Sequence, residues 1–174
     1  MTLTAKLGAV RLVIFDFDGV LTDNKVYVSE DGKEMVCCNR SDGLAFDAFR
    51  RLGLPIFWVS RETNPVVRVR AAKLKIPVLQ AVTDKPQAVY ALAQKEGFSM
   101  SEILFVGNDL NDLDVMTACG LSACPADSHP RIAEIATFVL QSKGGEGVAR
   151  EVAEKILGID IAEALRTKKT ETFE

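Results

Sequence analysis

The chain has 174 residues, 48% of them apolar and 26% charged, with a formal net charge of -3. That is enough for one domain with a core of its own, and the composition is that of an ordinary globular protein. The slight acidity argues against a polyanion such as nucleic acid as the main partner, while a local site can still oppose the global charge and take a small phosphorylated molecule.

Residues 12–15, LVIF, form the first short apolar run. Residues 24–39, NKVYVSEDGKEMVCCN, then alternate around an acidic Asp-Gly turn and read as a β-hairpin. The helical-looking stretch 41–53 leads to PIFWVS at 55–60, and 64–75 leads to IPVLQAV at 76–82. Residues 85–97 lead to ILFVGND at 103–109, and 110–119 to GLSACP at 120–125. HPRIAEIA precedes the last run, TFVLQ at 137–141. These runs are short and lack clean alternation, and helix-length segments separate them. That is the pattern of strands covered on both faces in a parallel α/β sheet. Gly53, Gly97 and Gly120 stand where helices should end, and Pro65 and Pro86 where they should begin. The reading is one domain over residues 1–164, with a polar, mobile tail at 165–174.

No run approaches 18 apolar residues, so no membrane span is expected. The first residues, MTLTAKLG, lack the features of a signal peptide, and a cytoplasmic location is the expectation. Four cysteines without CxxC spacing and a single histidine make a structural zinc site a poor reading, and buried free thiols a simple one.

The chemistry concentrates at strand ends. Asp16 and Asp18 follow the first strand, and Asp109 and Asp112 follow ILFV. In an open parallel sheet those ends face one crevice, so residues far apart in sequence converge there. Crowded carboxylates repel unless a cation neutralises them. Hard oxygen ligands suit Mg2+, which commonly meets its substrate through phosphate. An aspartate can then serve as nucleophile through an acyl phosphate. Ser60 ends its strand where it can donate to a phosphate, and Lys85 opens a helix where it can balance phosphoryl charge. Gly19 permits close backbone approach, and the amides of residues 17–19 can hold transferring oxygens. Singly, each has a plainer explanation: DFDG as a turn, GNDLND as a helix cap, Ser60 as a loop hydroxyl, Lys85 as a solvated helix start. Their order along successive strands favours a magnesium-dependent phosphoryl-transfer or hydrolytic site.

DxDGxLTD at 16–23, Ser60, Lys85 and GNDLND at 107–112 resemble the four motifs of the haloacid dehalogenase superfamily of phosphatases. More closely, residues 8–160 resemble its capless branch of 3-deoxy-octulosonate-8-phosphate phosphatases and nine-carbon, sialic-acid-type sugar-phosphate phosphatases. That branch also includes phosphatase-like domains attached to acylneuraminate cytidylyltransferases. The hairpin, SDG at 41–43, SRETNPVVRVRAAKL at 60–74, DK at 84–85, ADSHP at 126–130 and GGEGVAREV at 144–152 extend the likeness.

The resemblance implies a Rossmann-like fold with a central parallel sheet, a hairpin inserted after strand 1 and no large cap domain. It implies Asp16 as nucleophile, Asp18 as acid and then base, and Ser60 and Lys85 as holders of the phosphoryl group. Asp16, the Asp18 carbonyl and Asn108 would ligate Mg2+, with Asp109 or Asp112 supporting them. Asn108 stands where relatives usually carry an acid. Arg61, Arg70, Ser41 and Gly19 are candidate substrate contacts, with Arg40 as a further contributor. Arg61 resembles the octulosonate enzymes, whereas Ser41 replaces an arginine typical of them, so eight- and nine-carbon substrates both stay open. His129 is expected in a structural or rim role, and the glycine-rich KGGEG at 143–147 either offers amides to substrate or is a plain turn. A homotetramer is implied, in which hairpin and C-terminal segment close neighbouring sites. The alternatives are a non-catalytic oligomerisation module and a phosphatase for another small sugar phosphate.

Overall fold

The computed structural model describes residues 7–166. Six strands form one parallel sheet: β1 (Leu12–Phe15), β4 (Ile56–Val59), β5 (Val78–Leu79), β6 (Ile103–Val106), β7 (Leu121–Cys124) and β8 (Phe138–Val139). Their order is β5-β4-β1-β6-β7-β8. The chain therefore builds outward from β1 to one edge, then returns to β1 and builds to the other. The reversal lies between β1 and β6, and in open α/β sheets the crevice beyond the strand ends at such a point receives ligands.

The strands lack alternation because both faces are covered. Val13 and Phe15 of β1 pack with α1 (Ser41–Arg51), α2 (Val66–Leu74) and the C-terminal helices α6 (Val148–Glu151, continuing as a π turn over Val152–Ile156) and α7 (Ile161–Arg166). Leu12 and Ile14 pack on the opposite side with α3 (Lys85–Glu96), α4 (Leu113–Ala118) and α5 (Pro130–Ile135). Trp58, Phe46 and Phe15 interlock in the first layer, with ring centroids 5.5 Å apart for both Phe15–Phe46 and Phe46–Trp58.

The helix signals are largely realised. Asp84 caps α3 by accepting from the Gln87 N–H at 2.9 Å, Pro86 sits in the first turn, and Gly97 closes the helix at φ 77°. Gly120 is different. It does not adopt a left-handed C-cap, because α4 ends extended at Cys119. A side chain at Gly120 would instead collide with the backbone of Ser101, so close chain approach is what demands glycine there.

The hairpin comprises β2 (Thr22–Val28) and β3 (Glu34–Cys38), paired antiparallel with a bulge between Thr22 and Val26. It stands apart from the main sheet as a two-stranded unit. Beyond the last predicted strand, α6 and α7 complete the first layer, and the predicted tail falls mostly outside the description: Leu165 and Arg166 end α7, and 167–174 lie beyond the described residues. Among the described residues no disulfide forms. Cys124 is buried, but Cys37 is exposed on the hairpin, so not every thiol is in the core. No described helix is long and apolar enough to cross a membrane.

Candidate active site

The spacing of DFD has a simple cause. Asp16 still follows the line of β1, its N–H donating to Val106 O at 2.9 Å, but the chain bends at Phe17 and turns over residues 18–21, where the Leu21 N–H folds back to Phe17 O at 2.8 Å. Phe17 turns into the core, fully buried with its ring 5.4 Å from Trp58. Asp16 and Asp18 thus both line a cleft of about 290 Å3. Phe17 is the peg that holds two acids one residue apart. Just past them, Gly19 adopts φ 77°, and any side chain there would strike the Asn108 carboxamide.

The opposite wall comes from the loop after β6. The Asp112 carboxylate turns back on its own loop. Its Oδ2 accepts from the Asn108 N–H at 3.0 Å and the Asp109 N–H at 3.4 Å. Gly107 makes this possible, since a Cβ there would lie 2.6 Å from that of Asp112. The remaining oxygen, Oδ1, accepts from Lys85 Nζ at 2.6 Å, and the same ammonium reaches Asp16 Oδ1 at 2.8 Å. Asp16, Lys85 and Asp112 are all buried. The three motifs are therefore one linked unit: Gly107 admits Asp112, Asp112 holds Lys85, and Lys85 holds Asp16.

The charges explain the titration. Burial first, then the neighbouring Asp112, pushes the Asp16 carboxyl up to about 7 against the attraction of Lys85. Burial, followed by the negative charge of Glu62, raises Asp18 to about 6. Burial alone would lower the Lys85 ammonium, but the two carboxylates outweigh it and hold it above its usual value. Two acids sharing one ammonium leave the buried cluster at the base of the cleft with excess negative charge when both are ionised.

Ser60 sits at the end of β4. Its backbone N–H donates to Leu79 O at 2.9 Å, and its Oγ accepts from the Glu62 N–H at 3.0 Å. The hydroxyl proton is thereby left for another acceptor. Arg61, Glu62 and Thr63 continue the rim on this side, while Asn24, Asp109 and Asn111 supply the rest. The hairpin is tied to this rim: Asn64 Nδ2 donates to Glu34 Oε2 at 3.0 Å.

The fit of a cation rests on oxygen donors rather than a three-acid cluster. Among the described residues no group of three His, Cys, Asp or Glu side chains is placed to hold a metal. Asn108 Oδ1, however, is buried with no hydrogen-bond partner, in a residue that lines the cleft with Asp16 and Asp18. A buried acceptor without a donor beside two acids raised by burial suits a hard divalent cation.

The expected site residues divide into two groups. Asp16, Asp18, Ser60, Arg61, Asn108 and Asp109 line one cleft, with Lys85 directly behind Asp16 and Gly19 beneath Asn108. Asp112 is fully buried behind Lys85, with both oxygens engaged. Ser41 and Arg70 stand away from this cleft. Ser41 Oγ donates to Asn39 Oδ1 at 2.8 Å, and Arg70 donates to the Asn39 carbonyl at 3.1 Å. Arg40 is an exposed residue at the start of α1. His129 has a structural place: its N–H donates to Asn108 O at 2.9 Å, and its Nδ1 accepts from the Arg131 N–H at the start of α5. The KGGEG amides are turned inward, Gly144 N–H to Asp127 Oδ1 at 2.9 Å and Gly145 N–H to Val20 O at 3.0 Å. Asn24, Glu62, Thr63 and Asn111 are cleft residues that the motifs did not single out. Asn111 lies inside GNDLND and was within reach of the sequence, whereas Asn24 carries no signal in its pattern.

Comparison with known proteins agrees with this geometry. Residues 61–152 match the haloacid dehalogenase-like hydrolase family. The 3-deoxy-D-manno-octulosonate 8-phosphate phosphatase of Escherichia coli K12 is 33% identical over 154 residues, covering 88% of this chain and 82% of that one. A HAD family hydrolase of Streptomyces avermitilis has a similar structure, with a TM-score of 0.86 and 39% identity over 89% of each chain. So does the octulosonate 8-phosphate phosphatase of Moraxella catarrhalis in complex with magnesium ion, phosphate ion and KDO molecule, with a TM-score of 0.85 and 27% identity over 90% of each chain. The chain belongs to the haloacid dehalogenase superfamily, as a phosphoric monoester hydrolase closely related to the octulosonate 8-phosphate phosphatases.

Proposed function

We propose that the chain hydrolyses the phosphate monoester of a 3-deoxy-2-ulosonic sugar acid, an octulosonate 8-phosphate or a nonulosonate 9-phosphate, through an aspartyl phosphate on Asp16. The observation that carries the reading is the buried Asp16–Lys85–Asp112 unit, with Asp18 and Ser60 on the same cleft. A carboxylate oxygen of Asp16 attacks phosphorus, and the bond from phosphorus to the sugar oxygen breaks. Asp18, raised to about 6, gives its proton to that oxygen. In the second half, Asp18 takes a proton from the water that attacks the acyl phosphate, and inorganic phosphate leaves as Asp16 regains its carboxylate. One residue serves both halves because the proton moves in opposite directions, and a value near neutrality suits both. Ser60 and Lys85 hold the phosphoryl oxygens.

The donor set fits Mg2+: the Asp16 carboxylate, the Asp18 carbonyl and the Asn108 amide oxygen would hold it, with Asp109 at the rim and Asp112 acting indirectly through the loop. When bound, the ion offsets negative charge on the phosphoryl oxygens and on the paired acids. Arg61 is the exposed cation of the rim and faces the leaving group's carboxylate in this reading. Four subunits would assemble through the hairpin, where Val26, Tyr27, Val28 and Met35 are all more than half exposed. An isolated ribbon with that much apolar surface is poorly stable alone, which supports burial against a second copy.

The test is phosphate release with Mg2+ from octulosonate 8-phosphate, a nonulosonate 9-phosphate and hexose 6-phosphates. Release from a sugar-acid phosphate well above the hexose phosphates is expected. Preference for the hexose phosphates contradicts the sugar-acid assignment, and a light-scattering mass of one chain contradicts the tetramer.

A further inference from the structure

Asn24 has an unusual backbone. Among the described residues only Asn24, Lys75 and Ala81 have positive φ without being glycine, and Asn24, at φ 61°, lies inside a strand. It occupies the bulge between Thr22 and Val26. The conformation is held from several sides. The N–H groups of Asn24 and Gly19 both donate to Oγ1 of the fully buried Thr22, at 3.3 and 3.1 Å. Gly145 packs against the backbone of Thr22 and Asp23, and its N–H fastens Val20 O. Strained backbone that the surroundings fix this firmly is characteristic of functional positions.

The bend has a consequence for the cleft. Asn24 lines it, and its Cγ lies 3.2 Å from where a Cβ on Gly19 would be. The Asn108 carboxamide occupies the same side of Gly19, deeper in. Asn108 is thus placed toward the cation and the phosphoryl group, while the exposed Asn24 stands on the rim, beside the path of whatever leaves past Asp18. A carboxamide there offers two N–H donors and a carbonyl acceptor, and no charge. That chemistry suits a sugar hydroxyl.

We propose that Asn24 is a specificity-determining residue that hydrogen-bonds a hydroxyl of the sugar leaving group; this rests on the sugar-acid phosphatase reading. Its positive φ provides the discriminating variant. Glycine adopts φ 61° without strain, so Asn24→Gly preserves the bend and removes only the carboxamide.

With Mg2+ saturating, kcat/KM is measured for wild type and Asn24→Gly on octulosonate 8-phosphate and on p-nitrophenyl phosphate, whose leaving group lacks the polyol. Binding of free octulosonate is titrated into both proteins, and melting temperature monitors folding. The expected result is a kcat/KM for the sugar phosphate reduced about fivefold or more relative to that for p-nitrophenyl phosphate, carried mainly by KM. Octulosonate binding should weaken by a similar factor, with no fall in melting temperature. An equal effect on both esters, or identical octulosonate binding in the two proteins, overturns the inference. Absence of phosphate release from the sugar ester by wild type tells against the phosphatase reading itself, and the binding titration then still decides Asn24.

Discussion

The loops after β1 and β6 leave adjacent strands at the same crevice, and each carries two aspartates, yet they are built to opposite ends. In the first, Phe17 is driven into the core and both acids face the cleft. In the second, Asp112 is folded back beneath its own loop, and an amide, Asn108, lies at depth with Asp109 at the rim. One loop turns both its acids to the cleft, and the other folds one of its two inward. Lys85 joins them by bridging Asp16 and Asp112. Identical residue types at neighbouring strand ends therefore take different work: Phe17 in the core leaves its flanking acids on the cleft, while Gly107 gives Asp112 room to fold beneath its own loop.

The largest effect should come from the loop whose acids face the cleft. Asp16→Asn removes the proposed nucleophile while nearly preserving shape, and phosphate release should fall by roughly 10^4-fold or more. A folded protein with near-normal turnover would remove Asp16 from the mechanism. The internal acid should behave differently. Asp112→Ala leaves Lys85 short of one partner and frees two loop amides, so stability should fall by about 3–5 kcal/mol in a denaturant titration. A loss of activity with no loss of stability would instead mean that Asp112 works in the cleft and not behind it.

A substitution on the β6 side sharpens the contrast. Asn108→Asp gives the deeper position a charge, and Mg2+ should bind about tenfold more tightly by calorimetry, since ligand charge sets affinity for hard cations. Unaltered affinity would remove Asn108 from the ligand set. In both proteins Mg2+ binding should weaken as pH falls below about 7, because a proton on Asp16 competes with the cation.

The effect most remote from catalysis concerns an acid outside the cleft. Asp42 anchors α1 to α6, its Oδ1 accepting from the Ala149 and Arg150 N–H groups at 2.9 and 3.3 Å. Burial, only partly offset by those two donors, raises it to about 6. The folded state then keeps a proton that the unfolded chain releases near pH 4, so this group's contribution to stability falls as pH rises from about 4 to 6. Asp42→Asn removes that slope, and between pH 4 and 8 the stability difference should move in the variant's favour by on the order of 2 kcal/mol. Parallel pH profiles for the two proteins would contradict the assignment.

Much of this is legible in the sequence. Apolar runs without alternation announce strands covered on both faces, and DFDG, Ser60, Lys85 and GNDLND fall at strand or helix ends because the sheet's geometry requires it. What escaped the sequence depends on distances across the chain. Nothing local tells that Gly107 makes room for Asp112, or that Asp112 turns inward while Asp109 does not. Gly120 looks like a helix stop, but its cause is the Ser101 backbone, 19 positions earlier in the chain. Arg70 and Ser41 are attractive as polar residues near the motifs, yet each is occupied at Asn39. Asn24 reads only as the first residue of the hairpin, and the bulge is what directs it to the rim.

The central claim is that Asp16, held by Lys85, becomes covalently phosphorylated. Wild type and Asp16→Asn would be mixed with Mg2+ and a sugar-acid phosphate carrying radiolabelled phosphorus, and quenched in acid within one turnover. The account predicts label on the wild-type protein that hydroxylamine releases, as from an acyl phosphate, and none on the variant. Rapid phosphate release with no label on wild type, or equal label on both proteins, would contradict it.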